Sequence, residues 1–171
     1  MQPIRVSILT LVVACIAFGA DEPKPFGRVS AYEMKVGDVL KIDYRSSGCF
    51  HDVHNELVIT RTDKAVTLAG ADLSRYWDEK AQKAIEGKRR NLLTTSLDDK
   101  QLARLDRSFE FVRAAPRGGC TTIDVVSVSQ VRSGKIIAYE VLRDATCHLG
   151  EDKERMAFYE LVSLITPKLK K

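Results

Sequence analysis

The chain has 171 residues, with 27 Lys or Arg against 23 Asp or Glu and a formal net charge of +4. Its basic residues concentrate at positions 88–90 and 168–171, and no aromatic side chain interleaves with either cluster. This pattern is typical of a solvated surface and argues against nucleic-acid binding. The length is sufficient for one compact domain.

The N-terminal segment has the pattern of an export signal. Arg5 is the only charged residue before Asp21, and residues 6–20 are apolar apart from Ser7 and Thr10. Such a run has the length of a signal-peptide core and is too short to span a membrane. We therefore predict an exported protein, secreted or periplasmic. Its predicted signal peptide covers residues 1–19, a short tether 20–26, and a single domain 27–167.

Two modes of signal removal fit this segment. Ala17 and Gly19 place small residues three and one before a cut that leaves Ala20 first, as signal peptidase requires. Alternatively, residues 12–15 (Val-Val-Ala-Cys) resemble the lipobox of bacterial lipoproteins, in which the cysteine is lipidated. We favour plain secretion because the apolar run continues past Cys15. Membrane association is predicted only if Cys15 is lipidated.

The first half of the domain predicts strands and one helix. Leu40, Ile42 and Tyr44 alternate with charged residues, which predicts a half-buried strand ending at residues 46–48. Residues 57–60 and 65–68 predict a hairpin that turns near Asp63. Residues 72–86 carry apolar side chains at helical spacing before a glycine, and we predict a helix there. Residues 89–95 are then predicted to return as a strand.

The second half predicts a helix, a hairpin and a last helix. Ser96, followed by Asp98 and Asp99, predicts a helix N-terminus. Residues 122–132 and 135–143 are β-forming on either side of a Ser-Gly turn, and residues 152–165 predict a terminal helix. This order predicts an α+β domain, with a mainly antiparallel sheet of hairpins and two or three helices packed on one face.

Three cysteines lie beyond the predicted signal peptide: Cys49, Cys120 and Cys147. An oxidising compartment favours disulfides, and the odd number leaves at least one thiol free, bonded to another chain or bound to a ligand. A two-residue loop at Ser133-Gly134 places Val128 opposite Tyr139 and, carried outward, Cys120 opposite Cys147. We therefore predict a disulfide between Cys120 and Cys147. A three-residue loop or a bulge would shift this register by one residue.

The stretch SSGCFHDVHNE, residues 46–56, places Cys49 close to His51 and His54. With His148 as a fourth ligand, these residues could hold zinc or copper, or a histidine could activate the Cys49 thiol. The spacing is not a recognised zinc motif, and two histidines three residues apart on a strand point to opposite faces. We therefore predict a buried Cys49 and no cofactor, with the zinc or copper site as the alternative.

Gly48, Cys49 and Phe50 end a predicted strand, and a hairpin, a capped helix, a cysteine-flanked hairpin and a terminal helix follow. This arrangement resembles a class of secreted bacterial domains whose motif runs Gly-Cys-Phe-Gly-x-Cys-Pro. His51, Val53 and His54 stand where that motif has glycine, cysteine and proline. The resemblance implies an exported α+β domain of unknown function, and it transfers no catalytic residue.

Motifs of the common enzyme classes are missing from the sequence. It contains no Gly-rich phosphate loop, no Gly-x-Ser-x-Gly and no His-Glu-x-x-His. We therefore predict a non-enzymatic binding module, with no assigned catalytic residue, whose partner is a protein or an envelope component. The alternatives are a metal-binding or thiol-dependent protein that uses Cys49, His51 and His54, and a secreted enzyme inhibitor.

Overall fold

The computed structural model describes residues 24–48, 51–85, 87–114 and 118–167. The predicted signal peptide, Cys15, the first four residues of the predicted tether and Cys49 lie outside these ranges. Phe26, at the end of that tether, exchanges two backbone hydrogen bonds with Tyr139, at 2.9 and 2.8 Å. No helix among the described residues is long and apolar enough to cross a membrane.

Nine strands and two helices follow one another in the described residues: β1 (Val39–Gly48), β2 (His51–Arg61), β3 (Val66–Asp72), β4 (Tyr76–Asp78), β5 (Lys83–Ile85), β6 (Arg90–Asn91), β7 (Thr95–Leu97), α1 (Asp99–Ala114), β8 (Ile123–Arg132), β9 (Lys135–Asp144) and α2 (Phe158–Ile165). One sheet has the order β6-β3-β2-β1-β8-β9, with β7 also paired to β3. All its pairs are antiparallel, which confirms the predicted sheet. β4 and β5 form a separate hairpin.

The core lies against one face of the central strands, because alternate side chains of a strand point to the same side. Ile42 of β1 is in register with Leu57 of β2 and Val128 of β8, and all three side chains are buried. From α2, the Phe158 ring lies 5.7 Å from Tyr44 of β1 and 6.2 Å from Phe109 of α1, between centroids. Burial of this apolar surface is the main favourable contribution to folding.

The helix predicted over residues 72–86 is wrong, because residues 76–85 form the β4–β5 hairpin. Asp72 Oδ1 accepts a hydrogen bond from the Ser74 amide at 2.9 Å, and Asp78 Oδ1 accepts one from the Lys80 amide at 2.9 Å. Such local side-chain bonds stabilise turns in competition with a helix. Tyr76 and Trp77, two apolar members of the predicted helix, are 55% and 60% exposed, so neither packs into the core.

The helix starts also differ from prediction. Ser96 lies in β7, and α1 is capped instead by Asp98, whose Oδ1 accepts the Gln101 amide at 2.7 Å. Gln101 Oε1 accepts the Asp98 amide at 2.9 Å in return, which completes a capping box. The last helix begins at Phe158, not at residue 152, because turns occupy residues 149–154.

A β-bulge at Ile137 shifts the β8–β9 register by one residue. Val128 therefore faces Glu140, and its predicted pairing with Tyr139 is wrong. Cys120 and Cys147 nevertheless form a disulfide, with Cα atoms 5.9 Å apart. Both cysteines lie beyond the strand ends, where a hydrogen bond from the Cys120 amide to the Ala145 carbonyl, at 2.9 Å, holds the two segments together.

Asp38, directly before β1, is a fully buried carboxylate. Its oxygens accept two hydrogen bonds from Arg132 at 2.7 Å, one from the Gln130 amide at 3.0 Å and one from the Lys35 backbone at 2.9 Å. The Arg132 guanidinium holds the pKa of Asp38 well below its usual range. The stability that ionised Asp38 contributes is therefore present above the pKa of the unfolded state and is lost as the pH falls towards the depressed value.

We expect Asp38→Asn to lower the free energy of unfolding at pH 7 by about 2 kcal/mol, because hydrogen bonds to a charged group are replaced by weaker ones. The difference from wild type should shrink below pH ~4, where the unfolded-state carboxyl protonates. Urea unfolding at pH 7 and pH 3 measures both values, with Asp63→Asn in the exposed β2–β3 turn as the control. An equal loss at both pH values would contradict this account.

Candidate functional site

The inward-facing positions change from apolar to polar at one end of the sheet. On β1 the buried series that includes Ile42 and Tyr44 continues to Ser46, which is also buried. On β2 the buried residue before Leu57 at the same phase is Asn55. The corresponding positions at the same end of β8 and β9 are acidic: Asp124 and Asp144.

The strand register places these polar residues side by side. Ser46 of β1 is paired with Asp124 of β8, and Asp124 is paired with Asp144 of β9. On the other side, Tyr44 of β1 is paired with Asn55 of β2. Directly paired residues of antiparallel strands have Cα atoms about 4.5–5.5 Å apart. Ser46, Asp124 and Asp144 therefore lie side by side on three neighbouring strands, and Asn55 lies on the next strand at the same end of the sheet.

A cavity of about 490 Å³ lies over this polar end of the sheet. Its floor includes the polar side chains just described, together with His51. Its walls include four aliphatic residues from β2, α2 and the segments before it: Val53, Leu149, Ala157 and Val162. Cys147 also lines the cavity, so the disulfide fixes part of one wall. Polar groups thus converge at the base of an otherwise apolar cleft.

The segment after β9 is held by Asp144. One oxygen of this buried carboxylate, Oδ1, accepts the Thr146 amide at 2.9 Å and the Thr146 hydroxyl at 2.6 Å. The same threonine oxygen accepts the His148 amide at 3.1 Å. Together with the Cys120–Cys147 disulfide, these bonds fix the chain that forms the cavity wall.

The environment of Asp124 disfavours its charged form. Burial raises the pKa of Asp124, a hydrogen bond from Ser46 opposes this, and the neighbouring Asp144 carboxylate adds to the rise. Tyr44 Oη donates a long hydrogen bond to Asp124 Oδ1 at 3.5 Å. Burial also raises the pKa of Tyr44 far above its ordinary value, so this hydroxyl remains a proton donor.

Asn55 is a cavity residue whose side-chain oxygen is a hydrogen-bond acceptor unsatisfied by the described residues. Its side chain is 1% exposed, and its Oδ1 accepts no hydrogen bond from any described residue. A buried acceptor without a donor costs about 1–3 kcal/mol, so native structures rarely keep one without a reason. A donor supplied from the cavity would remove this cost.

The three histidines have separate partners. His51 lies at the cavity, with Nε2 3.1 Å from Ser46 Oγ. His54 lies on the opposite face of the sheet, with Nε2 2.9 Å from Asp43 Oδ2. His148 Nδ1 lies 2.9 Å from Glu151 Oε1. The described residues contain no group of three or more His, Cys, Asp or Glu that could hold a metal. Cys49 lies outside them, and the zinc or copper hypothesis stays a prediction.

Of the histidines singled out in the sequence, the cavity contains only His51 among its described lining residues. The sequence alone did not indicate that four polar residues line this cavity: Ser46, Asn55, Asp124 and Asp144. A signal was available for two of them, because Ser46 and Asn55 are polar residues at the inward phase of strands in which Ile42, Tyr44 and Leu57 are buried at the same phase.

Comparison of the chain with protein-family models, with curated proteins and with solved structures finds no match. No relative therefore supplies a ligand or a reaction for this cavity.

Proposed function

We propose that this protein is an exported, non-enzymatic binding module that holds a small organic ligand in the cavity at the end of its sheet. The observation that carries the proposal is Asn55, which lines the cavity and whose buried Oδ1 has no donor among the described residues. The cavity volume of about 490 Å³ falls within the range typical of small-molecule sites. Apolar walls with a few convergent polar groups are also typical of such sites.

Binding is favoured over catalysis by the arrangement around Ser46. The contact between Ser46 Oγ and His51 Nε2, at 3.1 Å, has the form of a nucleophile and a base. In a catalytic triad, a third group orients the base through its other ring nitrogen. Here the neighbouring carboxylate, Asp124, is paired with Ser46 and not with His51. No described residue hydrogen-bonds to His51 Nδ1, so the base has no orienting group.

Export is supported by the disulfide between Cys120 and Cys147, since disulfides persist in oxidising compartments. We propose that both helices cover the apolar face of the sheet. This is supported by the aromatic contacts that join Phe158 to Tyr44 and to Phe109.

Ligand-observed NMR with hexylamine, hexan-1-ol and hexanoate tests the binding site. These probes share a six-carbon body and differ in the head group. We expect at least one to bind the wild-type protein, and Val162→Trp to weaken it about tenfold or more by filling the cavity. Leu164→Trp is the matched control, because Leu164 is on the same helix, is 40% exposed and does not line the cavity.

The proposal fails if no probe binds, or if Val162→Trp and Leu164→Trp have equal effects. Circular dichroism of both variants establishes that they are folded before binding is compared.

A further inference from the structure

We infer that the β4–β5 hairpin is a docking surface for a membrane that contains anionic lipids, with Tyr76 and Trp77 at the headgroup level and neighbouring lysines facing the lipid phosphates. This inference goes beyond the proposed function, because the hairpin contributes no described residue to the cavity over the polar end of the sheet. It would give the protein a membrane contact that does not depend on lipidation of Cys15.

The hairpin exposes two large aromatic side chains. Tyr76 is 55% exposed, and Trp77, which is the one tryptophan of the chain, is 60% exposed. Consecutive residues of a strand point to opposite sides, so the two rings lie on the two faces of the hairpin. Both side chains join an apolar ring to one polar group, and such side chains are enriched where a membrane meets water. The pair is therefore suited to a membrane interface.

The positive charge of the same segment is a second, independent observation. Residues 75–90 contain six basic and three acidic residues, whereas the net charge of the whole chain is only +4. Lys80, Lys83 and Lys88 are exposed, and they form no ion pair with any residue that the structure describes. Each basic residue held near an anionic membrane strengthens binding about fivefold. The free charge of the hairpin is thus complementary to anionic lipid.

The turn of the hairpin holds two of these lysines close to Trp77. Asp78, the next residue, accepts the amides of Lys80 and Ala81 on Oδ1, at 2.9 and 3.0 Å. Asp78 is also in register with Lys83 of β5. The aromatic ring and the two ammonium groups therefore belong to one short, hydrogen-bonded unit, which can meet a bilayer surface as a whole.

A second cavity, of about 330 Å³, lies at the base of the hairpin. Its lining includes Tyr76 and three basic residues: Arg75, Lys88 and Arg90. Asp72 also lines it and pairs with Arg90 at 2.6 Å, so the basic groups outnumber the carboxylates there. Arginine and lysine are the side chains that bind phosphate groups in proteins. This cavity provides a place for a lipid phosphate directly beside an exposed aromatic ring.

Other partners fit the hairpin less well. Protein interfaces are depleted in lysine, whereas three unpaired lysines lie on and beside this hairpin. Free phosphate would use the second cavity and would leave Trp77 in water. Nucleic acid favours the same types of side chain, so the experiment includes it.

The fluorescence of Trp77 tests this inference, because the chain contains one tryptophan. The purified native protein is titrated with vesicles of phosphatidylcholine alone, and with vesicles of equal parts phosphatidylcholine and phosphatidylglycerol. We expect the emission maximum to move to shorter wavelength with the anionic vesicles only, as the indole ring leaves water. About 0.5 M salt should reverse the shift, because it screens the attraction between the lysines and the lipid.

Vesicle sedimentation measures the contribution of the lysines. Lys80→Gln/Lys83→Gln should bind the anionic vesicles about tenfold or more weakly than wild type. Lys64→Gln/Lys135→Gln is the matched control, because it makes the same charge change in turns at the other end of the sheet. The control variant should bind as wild type does.

The same assay measures the contribution of the exposed indole ring. Trp77→Ala should weaken binding to the anionic vesicles about tenfold, because the variant loses apolar surface that the membrane covers. Ile136→Ala is the control, since Ile136 is a large apolar residue, 53% exposed, at the other end of the sheet.

Four results would each overturn the inference. The first is the absence of binding to anionic vesicles, and the second is equal binding to neutral and anionic vesicles. The third is vesicle binding without a change in Trp77 emission, which would show that another part of the protein holds the membrane. The fourth is an emission shift with single-stranded DNA but not with vesicles, which would make the hairpin a nucleic-acid surface. The hexyl probes test a different cavity, so the two proposals fail separately.

Discussion

Phe158→Ala is expected to lower the free energy of unfolding by about 4 kcal/mol, the upper part of the range for emptying a core site. Phe158 is 1% exposed, and its ring joins the sheet at Tyr44 to α1 at Phe109. Removing the ring leaves a cavity between three elements that cannot all move inward together. Urea unfolding followed by circular dichroism measures the loss.

The control for this substitution is Leu164→Ala. Leu164 lies on the same helix and is 40% exposed, so its truncation should change the free energy of unfolding by about 0.5 kcal/mol or less. Because Tyr44 also lines the binding cavity, Phe158→Ala should weaken the binding of the tightest-binding hexyl probe as well. A loss of stability no larger than that of the control would show that α2 does not pack as described.

Replacing both Cys120 and Cys147 by serine is expected to cost about 3 kcal/mol, because the disulfide closes a loop and restricts the unfolded chain. The two cysteines are 27 residues apart in sequence. The double variant should also bind the tightest-binding hexyl probe more weakly, since Cys147 belongs to the cavity wall. Thermal unfolding by calorimetry gives the stability change.

Reduction of the wild-type protein provides the control for the disulfide. A reducing agent should lower the melting temperature of wild type to that of the double variant, and it should leave the double variant unchanged. Non-reducing peptide mapping should recover Cys120 linked to Cys147. A wild-type melting temperature that does not respond to reduction would contradict the expected contribution of this disulfide.

The strands could be predicted because their signal is local. The alternation of Leu40, Ile42 and Tyr44 with charged residues indicates a half-buried strand, and these side chains are buried in β1. The helix predicted over residues 72–86 failed because helical spacing of apolar residues says nothing about a packing partner. There, the side chains of Asp72 and Asp78 stabilise turns instead.

The site was harder to predict because it has no local motif. Residues such as Asn55, Asp124 and Asp144 come from different strands, and only the sheet register shows that they lie at the same end of the sheet. The Cys and His spacing of residues 49–54 indicated a candidate metal site instead. The strand, however, places His51 and His54 on opposite faces of the sheet. The bulge at Ile137, which sets the register of β9, is likewise not visible in the alternation of that strand.

The most direct test of the binding site is an NMR titration of the ¹⁵N-labelled protein with the tightest-binding of the three hexyl probes, observed at the side-chain amide of Asn55. We predict that this resonance shifts and saturates as the probe fills the cavity that Asn55 lines. The backbone amides of Ser46, Asp124 and Asp144 should follow the same binding curve. An unchanged Asn55 side-chain amide, with shifts confined to the opposite face around Asp43 and His54, would contradict the account.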